Sequence, residues 1–171
     1  MANPQTFVEK IFNAQTGSIV FRRPDIVLTH DNTASILNTF SKMDGEKVAD
    51  PDQLLIVLDH NAPPTNAKLA NNYQIVRNMV KEQGIEKFYD AGRGICHQIM
   101  SYHAEPGMVI VGSDSHTCTA GAFNALAAGI DRTEAAGLWK RGETWFRVPE
   151  SIKITLKGKL NPGVYAKDLS L

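Results

Sequence analysis

The chain has 171 residues, 43% of them hydrophobic and 21% charged, which is ordinary for a globular protein with one sizeable core and gives no sign of disorder. Lys+Arg and Asp+Glu both number 18, so no basic excess draws in phosphate backbones or anionic lipid, and neither nucleic acid nor a membrane is expected as a partner. Cys96 and Cys118 are the two cysteines, too few for a disulfide framework and without CxxC spacing; with no secretory-type apolar core in MANPQTFVEKIFNAQ, they predict reduced thiols and a mature, cytoplasmic protein.

Along the chain, continuous rather than alternating apolar runs mark strands covered on both faces. The first is 25–29 (DIVLT) and the second 54–58 (LLIVL). Next comes PPTNAKLANNYQIVRNMVKEQG, where Leu69, Tyr73, Val76 and Val80 share a helical face, Thr65 or Asn66 can cap the start, and Gly84 can end it. The third strand is 87–89 (KFY) and the fourth 108–111 (MVIV). An Ala/Leu-rich stretch over 120–129 predicts a second helix, and Thr133 a cap for a third over 134–139. The strict alternation of 151–157 (SIKITLK) predicts a half-exposed edge strand. No repeat and no linker interrupts this order, so 1–171 reads as one α/β domain with a parallel or mostly parallel sheet and flanking helices.

The strand ends carry the chemistry. The four runs end in His30-Asp31, in Asp59-His60, in Asp90 ahead of GRGICH (Gly92–His97), and in Asp114-Ser115-His116, so four of the five histidines lie at or just beyond strand ends. Each doublet alone reads as a turn with a hydrogen-bonded side chain. Their recurrence predicts one polar site, because ligands bind outside the carboxyl ends of parallel strands. Gly92, Gly94 and Gly112 serve such turns and let backbone approach a ligand. A carboxylate on one imidazole nitrogen supports the imidazolium, so the other nitrogen can give up a proton near neutral pH; Asp59 with His60 and Asp114 with His97 are the candidate pairs.

The remaining polar and aromatic residues have plainer readings. His103 reads as a solvated loop residue, Cys118 as a small buried thiol rather than a metal ligand, and Trp139, Trp145 and Phe146 as core or interface aromatics. GxSxG, GxGxxG, the P-loop and zinc-type Cys/His spacing are all missing, and no metal ligand is assigned.

LDHNAPPTN, GRGICHQI, PGMVIVGSDSHTCTAGAFNALAAGI and KRGETWFRVPESIKITLKGKL, in this order and spacing, resemble the N-terminal iron–sulfur domain of the aconitase superfamily, most closely its isopropylmalate dehydratase and homoaconitase large-subunit branch. The resemblance implies a hydro-lyase that moves the elements of water on a small hydroxy di- or tricarboxylate, with leucine biosynthesis favoured. It implies a 4Fe-4S cluster with one iron open to substrate. It makes Asp59-His60 similar to a general acid for the departing hydroxyl, His97 and Asp114 to a second pair in the same proton traffic, and Ser115 and His116 to substrate ligands. His30-Asp31 would lie on another substrate-facing loop, where some relatives carry Gln in place of the histidine.

The departures are as informative. The three cluster cysteines of the family, two of them in a CxxC, have no counterpart here, so no cluster is expected on this chain alone. The serine base of the family stands on a swivelling domain, a separate small subunit in the branch this sequence resembles. The chain therefore reads as an N-terminal fragment of a longer large subunit, inactive by itself, with the remainder of that subunit and the small subunit as partners and with self-association through exposed apolar surface expected. A stand-alone binding or assembly module that kept the fold and lost the chemistry is the alternative. A small His/Asp metal-dependent hydrolase is a third reading, without recognisable ligand spacing.

Overall fold

The computed structural model describes residues 5–169. Its strands are β1 (Ile19–Arg22), β2 (Ile26–Thr29), β3 (Leu54–Val57), β4 (Phe88–Tyr89), β5 (Val109–Gly112), β6 (Leu126–Gly129) and β7 (Thr144–Arg147); its α-helices are α1 (Phe7–Phe12), α2 (Thr33–Lys42), α3 (Ala67–Gln83), α4 (Cys96–Met100) and α5 (Arg132–Arg141). A five-stranded parallel sheet runs in the order β4-β3-β2-β5-β6, beside a two-stranded antiparallel ribbon of β1 and β7. This is an α/β fold, as expected from the sequence.

The three central strands are buried at every residue, and successive side chains alternate between the two faces. Val27, Leu54, Ile56, Leu58 and Val111 join Ile36 and Phe40 of α2, Tyr73, Val76 and Met79 of α3, and Leu138 and Trp139 of α5 in one core cluster. Ile26, Leu28, Leu55, Val57 and Ile110 join Cys96, Ile99 and Met100 of α4 in the other. Fully burying a Leu- or Ile-sized side chain is worth about 1.5–3 kcal/mol, so these two layers hold the sheet in register.

α3 follows its sequence pattern. The Asn66 side chain accepts from the Leu69 N–H at 3.0 Å, and Gly84 ends the helix in the left-handed region at φ 70°. Tyr73 and Val76 are buried as expected, with Met79 completing the face, while Val80 and Leu69 lie half-covered.

Other expectations are corrected. Residues 120–129 form no α-helix: Ser115–Phe123 winds as 3-10 turns and Leu126–Gly129 is β6, a parallel neighbour of β5. The small residues here serve close approach rather than helix propensity, since a Cβ on Gly129 would stand 3.0 Å from the Asp114 carbonyl oxygen and one on Gly112 2.3 Å from Thr117 Oγ1. The cap of α5 is Asp131, whose carboxylate accepts from the Glu134 N–H at 2.7 Å, and not Thr133. Residues 151–157 belong to no strand and are exposed throughout, Ile152 at 91%; alternation makes a strand only where a second strand supplies the ladder. Trp139 is a core residue as expected, and Trp145 is 53% exposed on the ribbon. Among the described residues, no helix is long and apolar enough to cross a membrane.

Candidate active site

The strand order places the site. From β2 the chain runs outward to β3 and β4, then returns to lay β5 and β6 on the other side of β2. At such a reversal the loops leaving the carboxyl ends diverge and open a crevice. The segment after β2 brings His30 and Asp31, that after β3 brings Asp59 and His60, that after β5 brings Asp114, Ser115 and His116, and α4 brings His97.

Cross-links between the loops hold them together. Asn32 Nδ2 donates to the Ser113 carbonyl at 2.9 Å, and Ser113 Oγ donates to Asn32 Oδ1 at 3.0 Å, joining the ends of β2 and β5. Asn61 Nδ2 donates to Asp31 Oδ2 at 2.8 Å, joining the ends of β3 and β2. The Cys96 N–H donates to Asp59 Oδ2 at 2.7 Å, fastening α4 to the β3 loop. Asn32, Asn61 and Ser113 escaped the sequence reading because their role is contact between segments distant in sequence, for which spacing gives no signal.

Both candidate His–Asp pairs form. His60 Nδ1–H donates to Asp59 Oδ1 at 2.7 Å, and His97 Nε2 lies 3.0 Å from Asp114 Oδ1. Asp114 also meets His60, with Nε2 3.5 Å from Oδ2, and His116, with Nδ1 3.4 Å from Oδ1. One carboxylate therefore faces three imidazoles. Ser115 Oγ is 3.4 Å from His116 Nδ1, and the His30 ring stacks on His60 with centroids 3.8 Å apart. The carboxylates are the better-covered members, with side-chain exposures of 7% for Asp59 and 11% for Asp114 against 39% for His60 and 77% for His116. The acids thus lie behind, and the imidazoles they support are the more exposed groups of the crevice.

The electrostatics agree with this layout. Burial opposes ionisation of Asp59, but the Cys96 N–H and the His60 hydrogen bond outweigh it and hold the carboxyl below its ordinary value. Burial likewise opposes ionisation of Asp114, and the His116 N–H with the charges of His97, His30 and His116 pulls it down. For His60, burial disfavours the imidazolium, and the Asp59 hydrogen bond with the charges of Asp59, Asp31 and Asp114 raises the pKa overall. His30 goes the other way, lowered by burial and by the neighbouring His60. Burial with Asp31 nearby pushes the Tyr73 hydroxyl up, so it stays a neutral phenol behind the site.

Three residues fall elsewhere than expected. Asp90, the end of the third strand, makes a two-pronged ion pair with Arg77 of α3 at 2.8 and 2.9 Å and takes no part in the cluster; that segment is represented there by His97 and by the Cys96 N–H on Asp59. His103 is half-buried rather than solvated, its Nε2 2.7 Å from the Tyr89 hydroxyl. Cys118 is an exposed thiol and not a buried one, because the 3-10 turn at 115–123 directs Thr117 and Ala120 inward instead.

The family model described as the aconitase family (aconitate hydratase) matches residues 5–171. The chain belongs to the aconitase family. It is 43% identical over 176 residues to the 3-isopropylmalate dehydratase large subunit 1 of Methanopyrus kandleri, covering 98% of this chain and 42% of that protein. It is 39% identical over 173 residues to the methanogen homoaconitase large subunit of Methanocaldococcus jannaschii, covering 97% of this chain and 41% of that protein. The 3-isopropylmalate dehydratase large subunit 1 of Thermotoga maritima is 39% identical over 175 residues, 98% of this chain and 41% of that protein. The chain thus spans about two fifths of the length of the curated relatives it matches.

A 4Fe-4S cluster is held by several thiolates converging on one cubane, and the thiols of this chain do not fit one. Cys96 is fully buried, with its thiol pushed up to about 12 by burial and by Asp59, and Cys118 is exposed with its Sγ on the Ser115 carbonyl at 3.8 Å. Two thiols in such unlike surroundings are not a cluster-binding set.

Proposed function

We propose that this chain is the substrate-binding and proton-donating part of a hydro-lyase that dehydrates and rehydrates a small hydroxy di- or tricarboxylate of the isopropylmalate type, in leucine biosynthesis. The observation that carries the reading is the crevice in which Asp59 backs His60 while Asp114 faces His60, His97 and His116. Loss of water from a hydroxy acid at neutral pH needs a proton delivered to the departing hydroxyl, and a raised-pKa imidazole is suited to that task.

His60 is the donor in this reading. Its Nδ1–H is engaged by Asp59, which leaves Nε2–H as the proton to be given. The hydroxide leaves as water, and the neutral His60 returns a ring nitrogen that can take a proton back when the alkene is rehydrated. His97, within ion-pair distance of Asp114, supports the same traffic. Ser115 and His116, at the exposed lip of the crevice, contact carboxylate or hydroxyl oxygens of the substrate, and His30 and Asp31 line the opposite loop. The family resemblance supplies the rest of the proposal: cysteines outside this chain would hold a 4Fe-4S cluster that would supply Lewis acidity toward the substrate, and a base on a small swivelling subunit would take the proton from carbon. By itself this chain is inactive and holds no cluster. The intact His–Asp set favours this reading over a binding module that has lost its chemistry.

Complementation tests it. The chain is combined with the downstream part of a relative's large subunit and its small subunit, and formation of the unsaturated product is followed by absorbance. Turnover is expected only in the full combination and is expected to fall roughly a hundredfold or more with His60→Ala. Turnover by the isolated chain, or indifference to His60→Ala, overturns the proposal.

A further inference from the structure

Two sets of residues at the crevice bring three potential metal-ligand atoms together with a shared member, Asp114: His97, Asp114 and His116, and His30, His60 and Asp114, each with all ligand atoms within 4.8 Å of one another. Their ring geometry separates them. His30 and His60 are stacked, 22° from parallel with centroids 3.8 Å apart, so their in-plane lone pairs run side by side and do not meet at a point. His97 and His116 stand edge to face at 63° with centroids 5.9 Å apart, an arrangement in which two lone pairs can converge. Both address the same oxygen, with His97 Nε2 3.0 Å and His116 Nδ1 3.4 Å from Asp114 Oδ1. Ligand atoms about 2.0–2.2 Å from a tetrahedral ion stand about 3.2–3.6 Å apart, so two of the three edges are close to this spacing already.

We propose that His97, His116 and Asp114 form a binding site for one divalent transition-metal ion of the zinc class. Two imidazoles and one carboxylate suit a borderline ion and leave one position for water. Asp114 is held in place by the His116 N–H on Oδ1 at 2.7 Å, while the His116 ring, mostly exposed, can turn to close the third edge. Among the described residues, the polar contacts at the opposite end of the sheet join a carboxylate to a guanidinium, a carboxylate to a backbone N–H and a carboxamide to a backbone carbonyl, with no histidine. An ion at this site occupies Asp114 and His97 together. That this interrupts proton traffic rests on the function proposed above; the binding itself does not.

The test uses the unsubstituted 171-residue chain, stripped with a chelator and titrated with Zn2+ by calorimetry and with Co2+ by visible absorption. One ion per chain is expected, with intense four-coordinate cobalt bands. His97→Ala and His116→Ala are each expected to weaken Zn2+ binding by about tenfold or more, and His30→Ala to change it by less than about twofold. NMR of the unsubstituted chain gives a readout independent of how the variants fold: Zn2+ is expected to shift the imidazole signals of His97 and His116 and leave His103 unmoved. Absence of saturable uptake, weak six-coordinate cobalt bands, or a loss that follows His30 rather than His97 and His116 overturns the site. Stoichiometric zinc binding with unchanged turnover in the complemented enzyme upholds the metal site and counts against the part in proton traffic given above to His97 and Asp114.

Discussion

The two ends of the same parallel sheet are both polar, and they use polarity differently. At the amino ends the groups are closed on structural partners. Arg23 pairs with Asp50, Asp25 Oδ2 accepts from the Val109 N–H at 2.7 Å, and buried Gln53 donates to the carbonyls of Pro24 at 2.5 Å and Gly142 at 3.2 Å. At the carboxyl ends the acids are shared and the more exposed imidazoles keep a nitrogen in reserve, as at His97, where Asp114 takes Nε2 and leaves Nδ1 over. Saturated polar groups stabilise a fold, whereas unsaturated titratable ones, held in place by neighbours, are what chemistry needs. The contrast teaches that polar content does not mark a site; incomplete pairing at a strand-order reversal does.

The strongest way to break this comparison is at Asp114. Asp114→Asn keeps the shape and the acceptor for the His116 N–H but removes the charge facing three imidazoles, so turnover of the complemented enzyme is expected to fall by tens to hundreds of fold with the chain still folded by circular dichroism. Ser115→Ala comes next: it leaves a substrate oxygen without a partner, costing on the order of 1–3 kcal/mol, read in KM as well as kcat. At the other end of the sheet Gln53→Ala orphans two buried carbonyls and is expected to cost about 1–3 kcal/mol of stability in a denaturant titration, with turnover untouched. A catalytic defect in Gln53→Ala without loss of stability would dissolve the distinction between the ends.

The pH dependence of stability sharpens it further. Asp59 and Asp114 sit below the ordinary 3.8, so their contribution is complete above that value and is lost as pH falls through their lowered folded values. His60, raised above 6.5, contributes fully below 6.5 and loses its contribution as pH climbs through its raised value; His30, lowered, contributes above 6.5 and loses it as pH falls through its lowered value. Denaturant midpoints across pH are expected to show a shallower acid decline in Asp59→Asn than in the unsubstituted chain. The smallest effect belongs to Arg23→Ala, where a largely exposed arginine is worth less than about 1 kcal/mol.

The sequence by itself determined the α/β class, the polar endings and the family likeness, because periodicity and the residues that follow an apolar run are local properties. It also determined α3, since the Asn66 cap, the Tyr73–Val76 face and the Gly84 stop all lie within one segment. Only the tertiary structure decided which endings meet. The strand order β4-β3-β2-β5-β6 brings His30, His60 and Asp114 together, while Arg77, one turn of α3 beyond Tyr73, takes Asp90 away from the cluster. Tertiary context likewise turned 126–129 into a strand, because β5 offers an open ladder and Gly112 and Gly129 allow the close packing around Asp114 and Thr117. It left 151–157 unpaired for want of a neighbouring ladder among the described residues. Pairing between distant segments is decided by which backbones lie side by side, and that information is spread over the whole chain rather than written in any one stretch of it.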